Sequence, residues 1–288
     1  MRLSRRGFVG LSAGALALGP RALLGSTRLR PSGGASAGQG DPAYAGFKMG
    51  MQFYSLRAFD LDAALKHVKD LGLRYGQFYH DRNGRQMQLT DDPARIASYK
   101  EKLAAAGIAI LSFGVQRFTK DHAENRKSFE FAKAMGFSTI VAGPTPDALD
   151  SLNDLTKEYG MKIAIHNHGP EDKTWGKLEQ IQKGIENYPN AIGVCVDTGH
   201  TIRIGEDPVA WIKALGTRVH DCHLKDASGP ATFNVIGKGK LDTLGALRAL
   251  KAASFAGILA LEYELNEKDP IADIKACLEA TREACGKL

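Results

Sequence analysis

Residues 159–166 read YGMKIAIH. A glycine closes an amphipathic stretch, an apolar run begins at once, and that run ends in histidine. The same cadence returns as LGLRYGQF (71–78), AGIAILSF (106–113) and MGFSTIVA (135–142). Glycine lets a helix end in the left-handed conformation, and the β-branched and aromatic residues that follow suit a strand. A chain that repeats helix, stop and strand is building parallel strands joined by helical crossovers.

Working outward, eight strand-like runs are predicted: 47–55, 74–80, 108–114, 138–144, 161–169, 191–199, 218–226 and 257–265. Eight helical stretches lie between and after them: 60–71, 92–106, 122–136, 146–160, 174–187, 206–215, 242–255 and 270–285. Eight βα units over this length predict a (β/α)8 TIM barrel forming one domain. A doubly wound open sheet is the alternative. The first strand is followed by YSLRAFDLD, which lacks the G-x-G-x-x-G phosphate loop that such a sheet would bring.

A barrel puts its chemistry at the C-terminal ends of its strands. The polar outliers fall there. His80 ends the second run, His166 and His168 the fifth, and Asp197 the sixth, with His200 just beyond. His223 and Asp226 end the seventh, and Glu262 and Glu264 lie near the end of the eighth. Asp197 in CVDTGH, His223 in CHLKD and Glu262 in LALEYE can converge on one point. A buried carboxylate needs a cation or donors, and an O/N set of this kind suits Mn, Mg, Zn or Co.

Residues 1–37 differ from the rest. They begin MRLSRRGFVG, continue with a short apolar run from Phe8 to Leu18, and reach ASA at 35–37. Paired arginines before a short apolar run read as a twin-arginine export signal, with the protein expected in the periplasm or otherwise exported. Residues 38–46 read as linker and 47–288 as the barrel domain. The leader also explains the charge. The chain has Lys+Arg 38 and Asp+Glu 32, a net +6, but Arg2, Arg5, Arg6, Arg21, Arg28 and Arg30 all precede residue 38, with no acid among them. The remainder is balanced, which gives no electrostatic reason to expect nucleic acid, and no membrane partner beyond the export signal is expected. The cysteines, Cys195, Cys222, Cys277 and Cys285, show no C-x-x-C spacing and read as small buried hydrophobes.

CVDTGH, HLKD, GKGKLD (237–242) and LEYE together resemble the xylose-isomerase-like barrel superfamily, across residues 47 to 286. The resemblance implies a divalent metal held from successive strand ends. Asp197, His223 and Glu262 match three of the family's ligands. His166 stands where the epimerases carry glutamate, in His-Asn-His. His168, two residues on, shares its face and is open to three roles: ligand, substrate contact or orienting group. Gln77 stands where many relatives have a strand-two glutamate.

The resemblance also implies an enzyme acting on a small sugar or keto-sugar by removing a proton next to a carbonyl. Glu262 is expected as ligand and base, with His166, His168 or His200 as its acid/base partner. Isomerisation or epimerisation is the expected outcome. Because a histidine replaces one glutamate, a keto-sugar lyase, hydratase or dehydratase resembling inosose dehydratase is the alternative. His200, His80, Lys225 and Asp226 are the expected substrate contacts, and 237–242 an expected closing loop. The resemblance also allows a homo-oligomer, through the helical face or the C-terminal segment.

Overall fold

The computed structural model describes residues 39–288. The expected leader and the first residue of the expected linker lie outside them. Among the described residues no helix is long and apolar enough to cross a membrane.

The first barrel strands are β1 (Lys48–Gln52), β2 (Tyr75–Phe78), β3 (Ala109–Phe118), β4 (Thr139–Pro144), β5 (Lys162–His166), β6 (Ile192–Asp197) and β7 (Val219–Leu224). A short antiparallel hairpin follows, β8 (Asp226–Gly229) and β9 (Thr232–Asn234), and then the eighth barrel strand, β10 (Ile258–Leu261). All barrel pairings are parallel, and β1 pairs with both β2 and β10, so the sheet closes. Closure satisfies every strand edge and leaves a packed lumen.

The helices outside are α1 (Leu61–Asp70), α2 (Pro93–Ala106), α3 (His122–Met135), α4 (Leu149–Tyr159) and α5 (Leu178–Ile185). They continue with α6 (Thr198–Arg203), α7 (Pro208–Leu215), α8 (Thr243–Ala252) and α9 (Ile271–Cys285). Gly107, Gly136 and Gly160 end α2, α3 and α4 with φ of 71°, 88° and 65°. The recurring glycine is thus a repeated helix stop in the left-handed region. Most of the core lies between the barrel wall and this helical layer, where Phe113, Phe131 and Trp211 are buried.

The differences from the expected boundaries are local. The sixth strand stops at Asp197 because that side chain caps α6, its Oδ1 accepting the His200 N–H at 2.7 Å. The fifth helix starts only at Leu178, because Asp172 takes the backbone N–H groups of Thr174 and Trp175 into a turn. β3 runs on to Phe118 past an irregularity between Phe113 and Gln116. Residues 39–46, read as linker, pack on the barrel: Pro42–Tyr44 form a 3-10 turn, Tyr44 is buried, and the Tyr75 hydroxyl donates to the Gln39 carbonyl. All four cysteines are free and buried.

Candidate metal centre and active site

Four neighbouring barrel strands bring four side chains to one point. His166 is the last residue of β5, Asp197 the last of β6, His223 the penultimate residue of β7, and Glu262 follows β10. The register places Asp197 directly opposite His223. Leu224 faces Leu261, and the Glu262 N–H reaches the Leu224 carbonyl at 3.2 Å. One ligand atom from each of the four lies within 4.8 Å of every other, and all four side chains are buried.

The spacing tests the fit to an ion. His223 Nδ1 lies 2.9 Å from Glu262 Oε2 and 3.0 Å from His166 Nε2. Asp197 Oδ2 lies 3.5 Å from His166 Nε2 and 3.7 Å from His223 Nδ1. Ligands at about 2.0–2.1 Å around a tetrahedral ion sit about 3.3 Å apart, inside this spread. Asp197 Oδ2 is buried with no aligned hydrogen bond, its neighbours being the Lys225 ammonium at 3.0 Å and the two imidazoles. Buried polar atoms usually have partners, and two nitrogens with two carboxylate oxygens form a donor set for a divalent cation of borderline hardness. The residues present therefore fit such an ion.

Neighbouring groups orient the cluster. Gln77 Oε1 lies 2.7 Å from His223 Nε2, and Gln77 Nε2 donates to Ser112 Oγ at 2.9 Å. An acceptor at Nε2 fixes a proton there and leaves Nδ1 facing the cluster. Gln77→Leu is accordingly expected to weaken divalent-metal binding about 10- to 100-fold. A metal titration checks this, and unchanged affinity would show that Gln77 does not orient His223. Asn167 ties β5 to β6: its Oδ1 accepts the Asp197 N–H at 2.9 Å, and its Nδ2 donates to the Asp197 carbonyl at 3.2 Å.

Charge is partitioned sharply. Burial, aided by His168, pushes His166 down to about 3, and burial pushes His200 down to about 2, so both are neutral. Burial also opposes a charged His223, but Cys195, Glu262 and Asp197 around it hold its pKa well above the usual imidazole value. Asp197 and Glu262 stay ionised despite burial, chiefly because of the Lys225 ammonium.

A cavity of about 390 Å³ opens over the cluster, reaching His166 and Glu262. Its wall includes Tyr54, Tyr79, His80, His168, Arg203 and Phe233. A larger cavity, about 590 Å³, opens around Lys48, Lys162 and His220 at the other end of the barrel. It holds none of the four clustered side chains, so the chemistry is placed in the smaller one.

The structure brings His80, His168 and His200 to the cavity, with the His168 ring 4.6 Å from that of His166. His168 stands outside the four-residue cluster. Two expected substrate contacts, Lys225 and Asp226, are not among the residues of the cavity wall. Lys225 is 2% exposed, with its ammonium turned inward onto carboxylates. Asp226 is fully buried and serves the backbone: Oδ1 accepts from Ala227 and Leu241, Oδ2 from Gly237 and Gly239, at 2.8–3.0 Å. The stretch 237–242 is therefore pinned from below and is not part of the cavity wall, which receives Phe233 of the hairpin instead. Asp226→Ala would strip four backbone donors of their acceptor, and is expected to destabilise the fold by roughly 3 kcal/mol or more in urea denaturation. A loss under about 1 kcal/mol would show that water replaces the carboxylate.

Sequence reading missed Asn167, Arg203, Glu171 and Phe233. Arg203 pairs with Glu171 at 3.1 Å and lies 2.8 Å from His200 Nδ1. A signal existed for it: with Asp197 as N-cap, TGHTIR is a short helix on which residues 200 and 203, three apart, are neighbours.

Comparison with known proteins follows the same lines. A family model described as xylose isomerase-like TIM barrel matches residues 65–284. The inosose dehydratase of Geobacillus thermodenitrificans (strain NG80-2) is 28% identical over 161 residues, 49% of this chain and 53% of that enzyme. The chain spans about half the length of the curated relatives it matches. An uncharacterised protein of Parabacteroides distasonis superposes with a TM-score of 0.64 at 27% identity, over 81% of this chain and 97% of that one. The 3-keto-D-glucoside 4-epimerase of E. coli superposes at 0.62 over 82% of this chain and 99% of that one, but at 14% identity it shows the fold alone.

Proposed function

The chain belongs to the xylose isomerase-like TIM barrel family, and we propose that it is a divalent-metal-dependent enzyme that removes a proton next to the carbonyl of a polyhydroxylated ketone and expels a β-hydroxyl as water. One observation carries this reading. The cluster presents one ligand carboxylate to the cavity, Glu262, and it faces imidazoles, His166, His168 and His200, where a symmetric epimerase would set a second carboxylate.

When bound, the divalent ion supplies Lewis-acid polarisation of the substrate carbonyl. His166, Asp197, His223 and Glu262 would hold it. Glu262, the clustered carboxylate that lines the cavity, takes the proton from the carbon beside the carbonyl. The electron pair forms a carbon–carbon double bond as the β-carbon–oxygen bond breaks. The departing hydroxyl needs a proton to leave as water, and His168, in the cavity wall, is the candidate donor. The immediate product is an unsaturated ketone, which is the enol of a 1,2-diketone where the α-carbon carries a hydroxyl, and the proton on Glu262 returns to solvent. The similarity to an inosose dehydratase supports elimination over epimerisation.

Epimerisation is the second reading, favoured by the same histidines, since an imidazole on the far wall can return a proton to the same carbon. Proton NMR in D₂O with Mn²⁺, Co²⁺ or Mg²⁺, over keto-inositols, ketoses and keto-glycosides, separates the two. The expected result is a product that has lost one water, its former β-carbon seen as a vinyl signal in the enol or as a deuterated methylene after ketonisation. Deuterium entering next to the carbonyl with no loss of water would instead establish epimerisation. No exchange with any substrate would sink both. Export, suggested by residues 1–37, remains part of the proposal; fractionation of cells carrying the full chain tests it, and retention in the cytoplasm would overturn it.

A further inference from the structure

Resting on the reading that the four-residue cluster holds a divalent ion, we infer that Lys225 is a built-in placeholder for that ion: its ammonium holds the carboxylates of Asp197 and Glu262 in the metal-free protein, and gives them up, retaining Glu264, when the ion binds. Lys225 Nζ lies 3.0 Å from Asp197 Oδ2, 2.7 Å from Glu262 Oε2 and 2.5 Å from Glu264 Oε1. The first two oxygens are the ones that approach His166 and His223 in the cluster. One ammonium and one divalent ion are thus directed at the same two atoms, and like charges that close repel.

The berth is made for this side chain. Thr198 Oγ1 accepts the Lys225 N–H at 2.9 Å and donates to its carbonyl at 2.6 Å. Gly199 leaves room for the stem: a Cβ there would lie 2.6 Å from Lys225 Cγ. The Phe233 ring covers the ammonium, 4.8 Å from its centre. Thr198 and Gly199 of the DTGH motif therefore shape the site through Lys225. Glu264 is the more exposed carboxylate, its side chain 25% exposed against 9% and 0% for Glu262 and Asp197, and lies outside the ligand cluster, so it can keep the ammonium. Without the lysine, two ionised carboxylates would stay buried side by side before the metal arrives.

Lys225→Met keeps the stem against Gly199 and removes the charge. Co²⁺ is titrated into metal-free wild type and variant, read by its visible d–d absorption and by calorimetry. The variant is expected to bind at least tenfold more tightly. Equal or weaker binding by the variant, with wild type binding normally, overturns the placeholder and leaves the metal reading intact. No binding by either protein overturns both. A second measurement needs no variant: in ¹⁵N-lysine-labelled wild type, the Lys225 ammonium resonance is expected to shift with added Zn²⁺ and to saturate at one ion per chain. A resonance that stays in place while Zn²⁺ binds overturns the inference.

Discussion

Glu262→Gln is expected to lower turnover by roughly 10³-fold or more while the barrel stays folded. Glutamine matches glutamate in shape, so the packing at the end of β10 is kept. It cannot accept a proton, and the carbon beside the carbonyl then loses its base. Positioned acid–base groups contribute about 10²–10⁴-fold, and this residue is also one of the four cluster side chains, so two losses combine. Glu262 is the one clustered carboxylate that lines the cavity, its Oε2 anchored 2.9 Å from His223 Nδ1. The check is the rate of substrate C–H exchange in D₂O with metal content measured alongside. If the variant keeps its metal and more than a tenth of the wild-type exchange rate, the base is elsewhere, and His166 and His168 are next to be changed.

The second large effect belongs to Asp197, which does two jobs with its two oxygens. Oδ1 caps α6 by accepting the His200 N–H, and Oδ2 faces the two imidazoles and Lys225. Two variants separate the jobs. Asp197→Asn retains a capping oxygen but loses the charge, and is expected to weaken divalent-metal binding by about 100-fold or more. Asp197→Ala is expected to lose the metal equally and also to unfold more easily than the asparagine variant by about 1 kcal/mol, the usual value of a cap. Metal titration and urea denaturation of the metal-free proteins give the two readouts. Wild-type affinity in the asparagine variant would remove Asp197 from the ligand set. Equal stability of the two variants would show that the cap contributes nothing.

Much of this site could be read before any coordinates. The helix-stop glycines were visible as Gly107, Gly136 and Gly160, because a left-handed cap is a local requirement of the backbone. The strand-end positions of His166, Asp197, His223 and Glu262 were visible for a similar reason. Burying such groups is costly enough that they stand out of an apolar run. The directions of the Lys225 and Asp226 side chains were not legible, because type and position along a strand do not say where a long or branched polar side chain turns. Both sit at the C-terminal end of the seventh strand, as a substrate contact would. Lys225 is drawn inward by three carboxylates from two other strand ends, and Asp226 by backbone donors up to 15 residues further along the chain.

The amino-acid sequence by itself determined the period of strands and helices, their closure into a barrel as the reading it favoured, and the end of the barrel where chemistry would gather. Those are consequences of local backbone preference, apolar periodicity and the cost of burying charge, all of which act over a few residues. The tertiary structure alone decided which atoms meet: His166 Nε2 against His223 Nδ1 across 57 residues, Gln77 behind His223 across 146, and the Lys225 ammonium among Asp197, Glu262 and Glu264. Barrel closure and strand register bring these groups within a few ångströms, and only at that range do charge and hydrogen bonding select one orientation for each side chain.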